Sequence, residues 1–462
     1  MRFNIIHTND LHGHLEHWPI IEEFIRRKKD QFQDAGEAYF IVDDGDAMDT
    51  VHPLVEATQG QIMVDLFNQS AYDVVTIGNN EGLNFTQEQL GQRYQQADFQ
   101  VVIANLVNQT TLQTPDWAQP YLLKEVDQCR IAFLGVTAPY QTYQLNHYEI
   151  IEPLVAIKQT LAQIQQEGAN IIILLSHLGL DVDREIAETF PEINLIIGGH
   201  THHLLAQGEW ANQSLLTGAG RYGDFIGEVT IEWDAQHHQA DLVAQTYDIR
   251  HLADQFQIEI GQDPYFQKGQ RALQEIKIAT SPQNYLVMDT HSSESFIQLG
   301  LEAISWATDC PLAMLNTGLF LSDLAQGPIS LKELHEALPH PMHLAKLRFT
   351  GKQLTELLYE VADQVEDLQY QMVNGLGFRG KVFGEVIFKG IEYHYPQDRW
   401  LVEGAYIDDD QIYHLVTVDH LWFLPFFPAI DQYGQPELIF PDFLRHVIAN
   451  YLKHIYPSKD TK

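Results

Sequence analysis

Five short apolar runs in the first half of the chain each end on polar, metal-ligating residue types, and that repetition restricts the folds open to it. Runs at 2–8, 38–42, 73–77, 170–175 and 193–197 are rich in Ile, Val and Phe and short enough to be buried strands. They lead into Asn9-Asp10-Leu11-His12, Asp43-Asp44-Gly45-Asp46, Gly78-Asn79-Asn80-Glu81, Ser176-His177 and Gly198-Gly199-His200-Thr201-His202. Strand-like runs at 99–104 and 130–136 lie among them, and helical patterns at 19–32, 60–68 and 153–167 alternate with them. Strands alternating with helices predict a layered α/β domain, closed by strands at 214–217 and 227–233. Ligands of such sheets bind outside the carboxyl ends of the strands. The pattern therefore delivers Asp10, His12, Asp46, Asn79, His177, His200 and His202 to one rim.

At 462 residues the chain is too long for one ordinary core, so two domains are expected. After a polar, helix-prone stretch at 251–278 and a break at 279–282, the texture changes. Helices are predicted at 293–308, 330–338 and 351–365, with strands near 385–395 and 411–418, which reads as a separate α+β domain. The expected boundaries are a catalytic domain over 1–250, a helical linker over 251–282 and a second domain over 283–462. The 45% hydrophobic and 19% charged composition is that of a folded globular protein.

Lys and Arg total 27 against 63 Asp and Glu, a formal charge of −36. Such a field repels a phosphate backbone, so DNA, RNA and an anionic membrane surface are not expected partners. A small phosphate ester is still acceptable if metal cations supply positive charge locally. Cys129 and Cys310 are isolated and read as buried apolar residues. No signal-peptide h-region or membrane-spanning apolar run is present, so a soluble cytoplasmic protein is expected.

Imidazole and carboxylate together suit Mn, Fe, Zn, Co or Ni better than Ca or Mg, which prefer all-oxygen cages. Seven donors are too many for one catalytic ion that must keep an open position. They suit two ions roughly 3.5–4 Å apart sharing a carboxylate, the arrangement of metal-assisted phosphoester hydrolysis. Singly, an Asp-x-His or a Gly-Asp turn is uninformative; the weight lies in five such ends in one order. The near match of His12-Gly13-His14-Leu15-Glu16-His17 to the H-x-H-x-D-H signature of metallo-β-lactamases fails, because that class needs several strands before its motif. His14 and His17 are expected at the surface. The run 43–49 is not a calcium loop, since its glycine sits too early and no Glu closes it.

The stretches IIHTNDLHGHLE, VDDGD, IGNNE, ANL, LLSHLGLDVD and GGHTHH resemble the 5′-nucleotidase, UDP-sugar hydrolase and 2′,3′-cyclic phosphodiesterase family of calcineurin-like metallophosphoesterases. GPISLKELHEALP and LRFTGKQLTELL resemble that family's C-terminal substrate-recognition domain, so the likeness covers nearly the whole chain. It implies a four-layer αββα catalytic sandwich, a connecting helix and a nucleoside-holding second domain. By motif match, one ion falls to Asp10, His12 and His202, and the other to Asn79, His177 and His200, with Asp46 bridging. Asn105, in ANL, is implied at the edge of the site.

The chain departs from the family in three places. Asn80 and Leu83 stand where the family has a His and an Asp that assist the leaving group, so Asn80 is the candidate catalytic position. An amide can donate a hydrogen bond but carries no charge near neutral pH. General-acid help is worth about 10²–10⁴-fold, so slower turnover of nucleoside monophosphates is expected, or a substrate with a better leaving group. The family's Asn-Gly-Gly-Ile-Arg is here Asn316-Thr317-Gly318-Leu319-Phe320, which loses a bidentate anion donor. Arg379 and Arg348 are candidate replacements, although solvated surface charge is the commoner role; Phe378, Phe383 and Trp422 are candidates for base stacking, with core packing the favoured role for each. The third departure is the missing signal peptide.

The expected protein is thus a dinuclear-metal hydrolase of nucleotides or related small phosphate esters, of open oligomeric state. The rivals are a cyclic-nucleotide or dinucleotide phosphodiesterase and a nucleotide-binding sensor with reduced catalysis. The complete ligand set favours an enzyme.

Overall fold

The computed structural model describes residues 1–373 and 378–457; residues 374–377 and 458–462 of the expected second domain lie outside the described residues. The chain divides into two compact units, 1–269 and 270–462.

The first unit is built on two six-stranded sheets. One runs in the order Gln239–Asp248, Phe225–Asp234, Arg2–Thr8, Ala38–Asp43, Val74–Val75, Gln100–Val101. The other runs Glu209–Ala211, Ser214–Thr217, Leu195–Gly198, Ile171–His177, Cys129–Thr137, Tyr121–Val126. Side chains alternate across each strand, and the apolar ones sort accordingly. Phe3, Ile5, Val42, Ile173, Leu175 and Ile197 fill the space between the sheets. Ile6 and Ile41 point the other way, onto helices Trp18–Ala35 and Gln61–Ser70 through Trp18, Ile21, Phe24 and Val64. Ile172, Leu174 and Ile196 cover the far side, against Ile157, Leu161 and Ile186 of helices Pro153–Gln166 and Leu180–Thr189. Three apolar seams between four layers give the αββα sandwich. Each fully buried Ile, Leu or Phe contributes about 1.5–3 kcal/mol, so two-sided strands of this kind form the stable frame for the loops at their ends.

Two predicted strands are shorter than expected. Only Val74–Val75 and Gln100–Val101 pair, because the chain beyond Val75 turns into helix Asn79–Asn84 and Ile103 bonds instead to the Gln119 carbonyl. Strands Tyr121–Val126 and Gln239–Asp248 were not anticipated. The second buries only Leu242 and Ala244 among its ten residues, so its sequence carries little apolar signal.

The stretch expected as a helical linker over 251–282 is more divided. It spans most of helix Ile249–Phe256, helix Pro264–Glu275 and strand Lys277–Ser281. The strand belongs to the second unit, where it pairs antiparallel with Gly327–Ser330. The unit boundary falls inside the second helix.

The second unit holds a five-stranded sheet in the order Val386–Lys389, Ala313–Asn316, Ile412–Val418, His343–Thr350, Glu437–Phe443. Its helices Leu331–Ala337 and Gly351–Asp363 start at capping boxes, Ser330 with Glu333 and Thr350 with Gln353. Those boxes lie inside the motifs GPISLKELHEALP and LRFTGKQLTELL, so the sequence sets both helix starts locally.

Candidate metal centre

The parallel pairing of Arg2–Thr8 with Ala38–Asp43 does not stop at the strand ends. Asp44 N–H bonds Thr8 O at 3.0 Å, Asp10 N–H bonds Gly45 O at 3.0 Å and His12 N–H bonds Asp46 O at 2.8 Å. The loops carrying Asp10 and Asp46 therefore run side by side. Asp10, His12, Asp46, His200 and His202 all have left-handed backbones, with φ of 50°, 48°, 53°, 68° and 58°. For residues with a Cβ that conformation costs on the order of 1–2 kcal/mol each, and such strain gathers at functional sites. A Cβ on Gly45 would lie 2.2 Å from Gly78 N, so glycine is required where these two turns touch.

The side chains converge. His12 Nε2 lies 3.2 Å from His202 Nε2 and 3.8 Å from Asp10 Oδ1, which is 3.4 Å from His202 Nε2. On the other side, His177 Nε2 is 3.3 Å from Asp46 Oδ2 and 3.9 Å from Asp10 Oδ1. Two groups, Asp10-His12-His202 and Asp10-Asp46-His177, thus place their donor atoms close enough for one ion each, with Asp10 common to both. His200 donates its backbone N–H to Asp10 at 3.1 Å, and its ring lies 5.3 Å from that of His177. Asn79 follows Gly78 at the start of a helix, with its side-chain oxygen buried and without a hydrogen-bond partner; His177 Nε2 is in the same condition. An orphaned imidazole nitrogen such as His177 Nε2, facing the Asp46 and Asp10 carboxylates, is what a cation site requires.

The electrostatics agree. Asp10, Asp43, Asp44, Asp46, Asp49, Glu81 and Asp183 are all buried, and among the described residues of this unit no Lys or Arg is buried with them. Unpaired buried charge is costly, so this floor needs cations or protons. Burial opposes a charged His177, yet Asp46, Asp10 and Asp44 raise its pKa well above the usual value. Burial likewise opposes a charged His12, but a hydrogen bond to Asp49 and the carboxylates of Asp46, Asp49 and Asp10 raise its pKa. A potential that holds protons on these imidazoles holds divalent cations there as well. Imidazole and carboxylate are the donors expected of a borderline transition metal.

Around the donors stand residues whose roles the sequence did not disclose. Glu81 accepts backbone N–H bonds from Asp46, Ala47, Met48 and Gly78 at 2.8–3.0 Å, tying two of the turns together. Asp49 sits 3.5 Å from His12 Nδ1, and the Asp44 carbonyl is 2.7 Å from His177 Nδ1. Only the spacing of Glu81 from Gly78, as in a capping box, offered a signal.

Asn80 donates its backbone N–H to Asp46 Oδ1 at 2.7 Å, and its side-chain nitrogen lies 3.0 Å from His12 Nδ1. Leu83 packs on the apolar cluster beneath. Asn105 is fully buried and spends both amide atoms on the backbone of Thr137, at 2.7 and 2.9 Å, the residue that pairs with His177 in the sheet. His14 and His17, expected as surface residues, are half-buried against Tyr222.

The candidates in the second unit, the exposed Arg348 apart, are buried or half-buried. Asn316 is buried and donates to the Phe383 carbonyl at 2.7 Å. Phe378 is 3% exposed and stacked between His340 and His420, and Phe383 is 0% exposed, so both are core residues with no free face for a base. Arg379 is half-buried and gives its backbone N–H to His340 Nδ1. No described helix is long and apolar enough to cross a membrane.

Residues 3–204 match the calcineurin-like phosphoesterase family, and residues 277–423 match the 5′-nucleotidase C-terminal domain. An uncharacterized metallophosphoesterase of Bacillus subtilis, YunD, is 33% identical over 97% of this chain and 98% of its own. Among solved structures, a putative 5′-nucleotidase from Staphylococcus aureus superposes with a TM-score of 0.67 at 18% identity, covering 98% and 97% of the two chains. The NAD nucleotidase of Haemophilus influenzae gives 0.61 at 15%, covering 99% and 97%. This chain belongs to the calcineurin-like metallophosphoesterases that carry a 5′-nucleotidase C-terminal domain, and it is a metal-dependent phosphoester hydrolase.

Proposed function

We propose that the protein hydrolyses nucleotides or closely related small phosphate esters at a dinuclear centre. The observation that carries this reading is the pair of donor groups sharing Asp10 over a buried acidic floor. Asp10, His12 and His202 would hold one ion and Asn79, His177 and His200 the other; Asp46, whose Oδ2 lies 3.7 Å from His12 Nε2 and 3.3 Å from His177 Nε2, would serve both, with Asp10 at the edge of each group. Mn, Zn, Fe, Co or Ni suits that donor set. When bound, the ions supply Lewis-acid charge to the phosphoryl oxygens and lower the pKa of water.

The protein's own part is positioning. The Asp49 carboxylate and the Asp44 carbonyl fix the Nδ1 sides of His12 and His177, which leaves Nε2 of each turned to the cluster. His12 and His202 keep 13% and 29% side-chain exposure while Asp10 and His177 keep none, so substrate enters over the two outer histidines. Asn80 acts as a positioning residue on Asp46, through its backbone N–H at 2.7 Å, rather than as an acid. A cytoplasmic site of action accompanies the proposal, supported by two buried free cysteines.

Asn80 and Leu83, standing where the dyad of the monoesterases would be, favour as a second reading a cyclic-nucleotide or dinucleotide phosphodiesterase. One panel separates the readings: metal-loaded protein with nucleoside monophosphates, cyclic nucleotides, nucleotide sugars and bis-p-nitrophenyl phosphate. Preference for monophosphates supports the nucleotidase, and preference for diesters supports the second reading. Nucleotide binding without metal-dependent hydrolysis of any substrate would sink both.

A further inference from the structure

The loop 218–224 is fastened to the first metal-binding loop. Ala219 N–H bonds Asn9 Oδ1 at 2.9 Å, Asn9 Nδ2 bonds Gly220 O at 2.7 Å and Tyr222 N–H bonds Asp10 O at 2.7 Å. Gly220, Tyr222 and Gly223 all take positive φ, at 73°, 61° and 68°, so the turn is sharply defined. It lays the Tyr222 ring on His14, at 3.9 Å between centroids, with the His12 and His202 rings at 5.8 and 6.4 Å. Arg221 then folds over Tyr222, its guanidinium carbon 4.5 Å from the ring centroid.

This guanidinium stands apart from the others of its unit. Arg184, for example, meets Glu209 at 2.7 and 2.9 Å, and Arg93 meets the Gln59 oxygens at 3.0 and 3.2 Å. Among the described residues of the first unit, the exposed Arg221 is the arginine with no oxygen acceptor from the protein, in a chain with 63 acidic residues to choose from. Its one polar neighbour is Nδ1 of His202, 3.5 Å away. An imidazole that presents Nε2 as an electron-pair donor keeps its proton on Nδ1, so in the ligating tautomer His202 gives Arg221 nothing to bond. A planar cation, held on an aromatic face beside the exposed histidines and lacking an acceptor, is arranged to receive an anion.

We infer that Arg221 is a substrate-binding residue that grips non-bridging phosphoryl oxygens on the His12/His202 side of the centre. The inference rests on the phosphoester-hydrolase reading of this site. It assigns to the catalytic unit an anion contact that the Leu319-Phe320 sequence of the second unit does not provide.

The test is calorimetric titration of inorganic phosphate into the manganese-loaded full chain, with metal content and p-nitrophenyl phosphate kinetics measured alongside. Arg221→Ala and the polar but uncharged Arg221→Gln are expected to weaken phosphate binding about 10–100-fold and to raise KM more than they lower kcat. Arg221→Lys should restore part of the affinity, and metal content should stay at the wild-type level. Phosphate affinity within twofold of wild type in Arg221→Ala overturns the inference, as does loss of metal, which would make Arg221 a support for His202. Wild-type protein that takes up metal but neither binds phosphate nor hydrolyses any ester overturns the reading of the site itself, and this inference with it.

Discussion

His177 Nε2 lies 3.3 Å from Asp46 Oδ2, both buried, and the other oxygen of that carboxylate is held by the Asn80 backbone N–H at 2.7 Å. Asp46 is thus fixed from one side and free to donate on the other. Burial works against its ionised form, but the His177 and His12 charges hold its pKa below the usual carboxylate range. It is a carboxylate at working pH, placed between two histidines from different strand ends.

Asp46→Asn keeps the shape and removes the charge. Metal content is expected to fall from two ions per chain to one or none, and turnover on any substrate to fall by at least about 10²–10³-fold. Elemental analysis and steady-state kinetics check both; full occupancy in the variant would remove Asp46 from the ligand set.

Asp49 acts through His12 Nδ1 rather than by ligation. Asp49→Ala should weaken metal affinity about 10–100-fold while leaving the stoichiometry attainable at high metal concentration. A chelator competition titration reads this directly, and an unchanged affinity would reduce Asp49 to a packing residue.

Glu81 offers the sharpest stability test. Its carboxylate serves four backbone N–H groups, and Glu81→Gln replaces one acceptor oxygen by a donor. Leaving a buried N–H unsatisfied costs about 1–3 kcal/mol, so the unfolding midpoint should drop even without metal. Equal stability of the variant would contradict the assigned role.

His340 gives a pH dependence whose sign is fixed by geometry. Nδ1 accepts from Arg379 N–H at 2.9 Å and Nε2 donates to Leu319 O at 2.8 Å, so the neutral ring is satisfied and a second ring proton has no place. Burial, with the positive charges of Arg379, His420 and Arg445 against the Leu319 carbonyl, brings its pKa down from 6.5 to about 3. Between those values the unfolded chain binds the extra proton. This group's stabilisation is therefore present above pH 6.5 and lost on acidification, at up to about 1.4 kcal/mol per pH unit. His340→Gln should narrow the difference in unfolding free energy between pH 6.5 and 4.5 by about 2–3 kcal/mol; an unaltered difference would contradict the buried neutral histidine.

How much could be read beforehand follows from where information sits in the chain. The strand ends were legible because strands of the catalytic sandwich are apolar on both faces, so a sudden Asp, His or Asn at a terminus stands out. Leu175-Ser176-His177 and Ile197-Gly198-Gly199-His200 are examples. The supporting residues were not legible, since Asp49 and Glu81 look like any loop acid until the fold brings them to His12 and to the Asp46 turn. Tyr222 and Arg221 reach the centre by a bond to Asp10, 212 and 211 positions away in sequence, which no local pattern records. The second unit was less legible for one reason. Phe378, Phe383 and Asn316 were judged by residue type, and an aromatic or an amide is equally suited to a core or a pocket. Burial decided for the core.

The most direct test of the dinuclear centre is anomalous diffraction from crystals of the full chain grown with manganese. The expected map has two peaks, one among Asp10, His12 and His202 and the other among Asp46, Asn79, His177 and His200. A single peak, or manganese bound away from these side chains, would contradict a two-metal site.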